Sequence, residues 1–172
     1  MIKKQKIEII VILIILFISS IFIFIKPFQL TIVSGHSMEQ TLYDGEILLM
    51  NKGVPNRNDI VTFNAKEAWQ ESSLNKDFIK RVVGIPSDEI KVLNNKLYVN
   101  NEEVINFKDK LKNNIGDIVF ELSEDEYFVI GDNVGNSHDS LFRLLNGDKE
   151  YTVNKKLLNY KLSNVKNKNE LD

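Results

Sequence analysis

The stretch Phe78-Ile79-Lys80-Arg81-Val82-Val83-Gly84-Ile85 alternates between two faces, as an extended strand does. Phe78 and Val82 share a face with Lys80, so the lysine has apolar neighbours on its own side. A lysine in an apolar setting loses the hydration that its charged form depends on, so its pKa falls and the neutral amine becomes available as a base. A second interpretation stays open, in which Lys80 lies on an edge strand and extends its ammonium group into water.

Similar short runs of β-branched and aromatic residues recur along the chain, separated by turn formers such as Asp44-Gly45 and Asn94-Asn95. This pattern predicts a mostly β fold, in which antiparallel sheets form a sandwich or barrel. The pair Asn94-Asn95 predicts a tight hairpin. The predicted strands cover 29–33, 47–50, 58–63, 78–85, 89–93, 96–99, 117–122 and 127–130.

The amino-terminal segment predicts a membrane anchor. Residues 1–6 are basic, and residues 7–25 form an apolar run that only Glu8 and Ser19-Ser20 interrupt. As a helix this run is about 28 Å long, close to the hydrocarbon thickness of a bilayer. Bulky residues continue up to Pro27, where a cleavable signal peptide has small ones, so we expect a retained transmembrane helix over 7–27. The lysines before it favour a cytoplasmic 1–6 segment and a domain on the outer face.

The rest of the chain divides into a β-rich domain over 28–153 and a polar tail over 154–172. The tail is rich in Lys, Asn and Glu, which predicts a fraying end with at most one short element.

Composition excludes several classes of function. The 172-residue chain has a formal net charge of −2, so it lacks the basic surface of a nucleic-acid-binding protein. It has no cysteine, which excludes thiol nucleophiles and disulfides. With two histidines, His36 and His138, a metal site would need several carboxylates, and we expect neither a metal nor another cofactor.

A second stretch, Ser34-Gly35-His36-Ser37-Met38-Glu39-Gln40-Thr41-Leu42, is a turn of small residues that carries two hydroxyl groups. A serine beside a glycine is most often turn chemistry. Ser37 could also be an exposed nucleophile, but it would then need a base.

Four stretches in this order resemble the boxes of bacterial type I signal peptidases: residues 34–42, 59–63, 78–88 and 131–140. With the anchor ahead of the first box, the resemblance runs from Lys3 to Ser140. It implies a mostly β serine-lysine peptidase in the cell membrane that removes signal peptides from exported preproteins on the outer face. It also implies small residues, typically alanine, at the first and third positions before the cut. We expect an edge strand to pair with the peptide, with Ile32, Val33 and Leu49 as pocket candidates.

By the same resemblance, Ser37 matches the nucleophile and Lys80 the general base. The Ser37 N–H matches an oxyanion donor; Gly35 replaces the serine that is a second donor in Gram-negative members, and Ser34 is the alternative. Further matched positions are Met38 beside the site, Arg81 after the base, Ser137 as the hydroxyl that orients the lysine, and Asp139 as a bracing carboxylate. Asp132-Asn133 is interpreted as a turn that fixes the loop.

The chain departs from the family pattern at several positions. Gln40 stands in place of proline, Asn58 and Ser87 in place of glycines, and Val134, Gly135 and Leu141 in place of arginine, aspartate and arginine. Asp139 thus loses its partner at 141, and Arg143 would return to the same face of a strand to replace it.

Three alternatives remain open. A Ser-His-Asp arrangement would use His36 or His138, but alternation turns His36 away from Ser37 and turns His138 away from its neighbours. A catalytically silent, membrane-tethered homologue would bind exported proteins without cutting them. A self-cleaving repressor peptidase is disfavoured by the anchor and by the absence of a DNA-binding segment.

Overall fold

The structure is a computed structural model that describes residues 2–25, 27–107, 110–113, 115–163 and 165. Its α-helices are α1 (Ile2–Ile25), α2 (Ala65–Trp69) and α3 (Ser140–Asn146), and single 3₁₀ turns cover Ser72–Leu74 and Lys155–Leu157. The strands are β1 (Phe28–Ile32), β2 (Ile47–Lys52), β3 (Ile60–Asn64), β4 (Asp77–Gly84), β5 (Glu89–Leu93), β6 (Lys96–Val99), β7 (Glu102–Asn106), β8 (Ile118–Glu121), β9 (Glu126–Ile130), β10 (Val153–Asn154) and β11 (Tyr160–Leu162).

The strands form two sheets, and every strand pairing in them is antiparallel. The larger sheet has the order β1-β2-β11-β3-β4-β9-β10, and the smaller one has the order β7-β6-β5-β8. The predicted mostly β, antiparallel fold is confirmed.

The predicted hairpin at Asn94-Asn95 is also confirmed. Leu93 pairs with Lys96, so the loop has two residues, and both lie in the left-handed region, with φ of 52° and 59°. Two-residue hairpin loops favour this conformation because its twist matches that of the flanking strands, and asparagine tolerates it.

Strand β4 lies inside the larger sheet. It pairs with β3 along Asp77 to Arg81 and with β9 from Arg81 to Gly84. Lys80 is only 3% exposed. The alternative of a Lys80 side chain that extends into water is therefore wrong.

Three apolar clusters hold the sheets together. One fills the space between the two sheets and α3, and it includes Ile90, Leu97, Phe128 and Leu141. A second cluster packs Phe63, Trp69, Phe78 and Val82 with their neighbours on another face of the larger sheet. The third cluster lies below the loop that joins β1 to β2 over residues 33–46 and carries Ser37, called the Ser37 loop below. This cluster contains Val33, Met38, Leu42, Leu48, Met50 and Ile60.

The tail contains more order than expected. Strand β11 lies between β2 and β3 in the larger sheet, where Lys161 pairs with both Asn51 and Val61. The preceding 3₁₀ turn and part of β10 also fall within 154–172. The expectation of at most one short element was wrong, because a sheet position compensates for the polar composition of this segment. Residues 164 and 166–172 lie outside the described residues.

Helix α1 covers most of the predicted anchor. Every side chain described in it, from Lys6 to Ser20, is exposed. Among the described residues, no helix combines the length and the apolar character that crossing a membrane requires. The transmembrane assignment therefore stays a prediction.

The backbone accounts for three departures from the family pattern. Gln40 has a φ of 81°, which proline cannot adopt because its ring fixes φ near −65°. Asn58 and Ser87 have φ of 70° and 67°, a region that glycine occupies without steric cost. These two residues preserve the turns in which the family has glycine.

Leu141 and Val134 belong to the apolar core. Leu141 is fully buried between the sheets, and Val134 packs against the same cluster. Apolar packing has therefore replaced the charged side chains that the family pattern has at both positions.

Leu141→Arg restores the family residue and tests this packing. A guanidinium group without a partner among apolar side chains should lower the free energy of unfolding by about 3–5 kcal/mol. Leu141→Met, the volume-matched control, should cost less than about 1.5 kcal/mol. Urea unfolding of the full chain in detergent measures both, and an arginine variant as stable as the methionine variant would contradict the core assignment.

Candidate active site

The Ser37 loop begins where β1 ends and is closed at its base by backbone hydrogen bonds. Val33 N–H donates to the Glu46 carbonyl (2.8 Å), and Gly45 N–H donates to the Val33 carbonyl (2.9 Å). Gly35 has a φ of 91°, and its N–H donates to Asp44 Oδ1 (2.8 Å). Met38 directly follows Ser37 in the sequence. Its side chain is 1% exposed and packs in the third cluster, which anchors the loop.

Asn133 holds the loop from the opposite side. Its backbone N–H donates to the Ser37 carbonyl (3.0 Å), and its Nδ2 donates to the His36 carbonyl (2.9 Å) and to Glu39 Oε2 (3.3 Å). Asn133 thus fixes the Ser37 loop through three hydrogen bonds that span almost a hundred residues of sequence.

Gly131 permits this close approach. A Cβ atom there would lie 2.5 Å from the Ser37 carbonyl oxygen and 2.3 Å from Ser137 Oγ. Any side chain at this position would push the Ser37 loop away from the end of β9.

Lys80 reaches the loop from β4. Its Nζ lies 2.7 Å from Ser37 Oγ and 3.0 Å from the Ile79 carbonyl oxygen. The Phe78 ring covers the amine, with Nζ 5.0 Å from the ring centroid. Burial lowers the pKa of Lys80 to about 8, because the charged form has lost most of its hydration. A substantial fraction of the amine is therefore neutral near physiological pH.

Nearby charges modify this effect of burial. Asp139 and Asp132 favour the charged form of Lys80, whereas Lys76 disfavours it. Asp139 is itself buried, and desolvation raises its pKa even though Lys80 attracts its negative charge. Because burial outweighs their mutual attraction in both groups, we regard the pair as two separately desolvated side chains rather than as an ion pair.

Asp139 is the N-cap of α3. Its Oδ1 accepts from Phe142 N–H (3.0 Å), and its Oδ2 accepts from Gly131 N–H (2.9 Å). The Asp139 carboxylate therefore joins α3 to Gly131, against which the Ser37 loop packs.

Arg81 points away from Lys80 and joins the Asp132 turn to β4. Its Nε and Nη2 donate to the two Asp132 carboxylate oxygens at 2.8 and 2.7 Å. Its Nη1 donates to the carbonyls of Asn58 and Val165. The Arg81 and Asp132 side chains line a separate cavity of about 640 Å³ that includes neither Ser37 nor Lys80.

The hydrogen bond expected between Ser137 and Lys80 is not formed. Ser137 is buried beside Gly131, and its Oγ has no hydrogen-bond partner among the residues that the structure describes. The hydroxyl lies near enough to Asp139 to lower the pKa of that carboxyl, although no bond of acceptable geometry joins them. The second acceptor of Lys80 is the Ile79 carbonyl instead.

Arg143 does not replace the lost partner of Asp139. The segment after Asp139 is helical rather than extended, so the alternation argument fails, and Arg143 contacts Glu71 Oε2 (2.7 Å) and His138 Nε2 (3.1 Å). The sequence does carry the signal for α3. Asp139 begins the helix, Leu141, Leu144 and Leu145 lie on one face, and Gly147 ends it with a φ of 77°.

Ser37 and Lys80 open into a cleft of about 330 Å³ between β1 and β4. Ile32 and Val33 line it as expected, whereas Leu49 does not. His36 also lines the cleft, but its ring is exposed and bonded to Glu39. His138 lines it too. Ser34, Gly35, Met38, Lys76, Phe78 and Asn136 complete much of the wall.

The sequence comparisons agree with this geometry. Residues 4–155 match the family described as "Signal peptidase, peptidase S26". The chain belongs to this family, whose members are serine endopeptidases. Signal peptidase I U of Bacillus subtilis (strain 168) is 35% identical over 157 residues, which cover 80% of this chain and 79% of that protein. Signal peptidase I P of Bacillus subtilis subsp. natto is 37% identical over 149 residues, or 77% and 74% of the two chains.

Among solved structures, a signal peptidase I from Enterococcus faecalis V583 is similar to this chain with a TM-score of 0.45 and 21% identity. The match covers 66% of this chain and all of that one.

Lys80→Met measures what the buried amine costs. The Lys80 pKa is about 8 when folded and 10.5 in the unfolded reference, so the folded state binds fewer protons between these values. Burial of the Lys80 amine therefore lowers the free energy of unfolding by its full amount below about pH 8 and has no such effect above about pH 10.5. We expect Lys80→Met to raise the unfolding free energy by up to about 3 kcal/mol at pH 7, and by much less at pH 10. Urea unfolding at both pH values tests this, and a gain that does not depend on pH would contradict the burial argument.

Proposed function

We propose that this protein is a membrane-anchored serine endopeptidase that removes N-terminal signal peptides from exported preproteins with a Ser37–Lys80 dyad. The observation that carries the proposal is the 2.7 Å contact between the buried Lys80 amine and the Ser37 hydroxyl. Family membership supports signal peptide cleavage as the reaction.

The proposed reaction proceeds through an acyl-enzyme. Neutral Lys80 accepts the proton of Ser37 as the Ser37 oxygen attacks the scissile carbonyl carbon. The resulting ammonium then protonates the leaving amine as the peptide bond breaks. Water next attacks the acyl-enzyme, again losing a proton to Lys80, and the Ser37 oxygen leaves with that proton. Lys80 thus acts as both base and acid, and a pKa of about 8 suits both tasks.

The Ser37 N–H is the proposed oxyanion donor, because it donates to no acceptor among the described residues. The Gly35 N–H is already committed to Asp44, so it is not a ready second donor. Ser34 is exposed and lines the cleft, which supports it as the alternative.

The cleft has the shape that an extended peptide requires. Among the described strands, β1 is an edge strand that pairs only with β2, and residues 77–80 of β4 pair only with β3. Two free backbone edges therefore border Ser37, and a preprotein segment bound between them would alternate its side chains into the cleft. The modest cleft volume favours small side chains before the cut.

Exposed apolar surface supports the membrane assignment. The described side chains of α1 include isoleucines, leucines and a phenylalanine that are about half exposed or more. Leu30, Ile32 and Ile47 on the outer face of the β1–β2 hairpin are about 70% exposed. Apolar surface of this extent is favourable against a lipid bilayer and costly in water. In the proposed topology, 1–6 is cytoplasmic, 7–27 crosses the membrane once and the β-rich domain lies outside.

Ser37→Ala and Lys80→Ala should each reduce cleavage of a preprotein about 1,000-fold or more, because each removes half of the dyad. The assay uses purified full-length protein in detergent and detects the mature product by mass. Both variants should remain folded by circular dichroism. Activity that survives Lys80→Ala would eliminate the dyad, and a folded wild-type protein that cuts nothing would favour the silent, preprotein-binding homologue.

Protease added to intact cells that express the protein should digest the β-rich domain and spare a tag fused to residue 1. The reason is the outer location of the domain in the proposed topology. Digestion after membrane permeabilisation provides the control for tag sensitivity. A β-rich domain that is cut only after permeabilisation would reverse the topology.

A further inference from the structure

His138 lies in an aromatic cage behind the proposed dyad. Its ring centroid is 4.9 Å from that of Phe142, 5.7 Å from that of Trp69 and 6.1 Å from that of Phe78. Trp69 and Phe78 are also in edge contact with each other, at 5.5 Å. The imidazole is therefore a packed member of an aromatic cluster rather than a free side chain in the cleft.

Arg143 determines the protonation state of this ring. Its Nη1 lies 3.1 Å from His138 Nε2, and a guanidinium group can only donate hydrogen bonds. Nε2 must then accept, which places the single ring proton on Nδ1 and keeps the imidazole neutral. Arg143 is held in turn by Glu71 at 2.7 Å, and its guanidinium lies 5.0 Å from the Trp69 ring centroid.

The Phe78 ring connects this cage to the proposed base. Its centroid is 5.0 Å from Lys80 Nζ, and it also contacts the His138 ring. Phe78 and Lys80 project from the same face of β4, two residues apart, so the ring shields the amine from the open side of the cleft. Loss of support behind Phe78 would let the ring tilt and water reach Lys80.

We propose that His138 is a positioning residue, whose neutral imidazole, fixed by Arg143, holds the Phe78 ring against the Lys80 amine. This proposal rests on the proposed function only in assigning a catalytic use to Lys80. His138 is not the base in this arrangement, because Lys80 and not His138 is bonded to Ser37 Oγ.

The charged groups around both side chains are consistent with this role. Burial and Arg143 lower the pKa of His138, while Glu71, Asp139 and Asp148 oppose them. The charged groups that act on Lys80 are Asp139, Asp132 and Lys76. The Phe78 ring contacts both His138 and the Lys80 amine, so in this proposal His138 acts on Lys80 through the position of Phe78.

Two substitutions at His138 separate ring packing from ring chemistry. His138→Ala empties the cage behind Phe78, so hydration should raise the pKa of Lys80 by about one pH unit, which lowers its neutral fraction about tenfold at pH 7. His138→Phe keeps an aromatic ring and should leave the Lys80 titration within a few tenths of a unit of wild type. His36→Ala, which removes the other imidazole of the cleft, should leave the titration unchanged.

The measurement is the ¹³Cε chemical shift of Lys80 against pH, in the full chain labelled with ¹³C-lysine in detergent, with Lys80→Met used to assign the signal. It requires no peptidase activity, so it separates failure of this proposal from failure of the proposed function. The acid limb of the pH dependence of kcat/KM should move in parallel. Unchanged Lys80 titration in His138→Ala, or an equal change in His138→Phe, would overturn the proposal.

Arg143→Met tests the fixed tautomer. Without the guanidinium beside Nε2, one of the two causes that lower the His138 pKa is removed, so a new step should appear in the Lys80 shift on the acid side of the Lys80 titration as the protonated ring leaves the cage. The double variant Arg143→Met/His138→Phe should lack that step. A step of equal size in both variants would show that Arg143 acts otherwise than through His138, and would contradict this part of the inference.

Discussion

A buried amine can lie beside a hydroxyl only if the protein fixes both groups and prevents the amine from being hydrated. This constraint determines much of the structure around Ser37 and Lys80. Lys80 comes from β4, which pairs with β3 along Asp77 to Arg81 and with β9 from the next residue, Arg81, onward. The Ser37 loop is drawn to it by the buried Met38 side chain and by three hydrogen bonds to Asn133. Gly131 leaves the space in which these parts meet. Each of these features supports one contact of 2.7 Å.

The structure accounts for the apolar residues at positions 134 and 141, where the family pattern has arginines. Val134 and Leu141 join the apolar core between the sheets, where an arginine at either position would need a partner. Asp139 is instead held by the N–H groups of Gly131 and Phe142. These donors belong to the backbone, so this carboxylate has hydrogen-bond partners although the arginine at 141 is absent.

Local patterns in the sequence predicted eight of the described strands, all but β7, β10 and β11, and placed Lys80 correctly on an apolar face. They also predicted the Asn94-Asn95 hairpin, because both signals depend on residues that are near neighbours in the chain. The contacts of Arg143 and His138 were missed, since they depend on α3 and on Trp69, about seventy residues away. Alternation between two faces does not hold after Asp139, because this segment is a helix that begins at the Asp139 cap and ends at Gly147. Strand β11 was missed because its sequence is polar and its pairing partners are distant in the chain.

Strand β11 also constrains the order in which the protein can mature. It is the last described strand in the chain, yet it separates β2 from β3 in the larger sheet. Within the larger sheet, the hairpin that carries the Ser37 loop is hydrogen-bonded to the half that carries Lys80 through residues 160–162. During translation, every other described strand leaves the ribosome before β11 can pair with β2 and β3. The sheet that holds the two halves is therefore completed only late in biosynthesis.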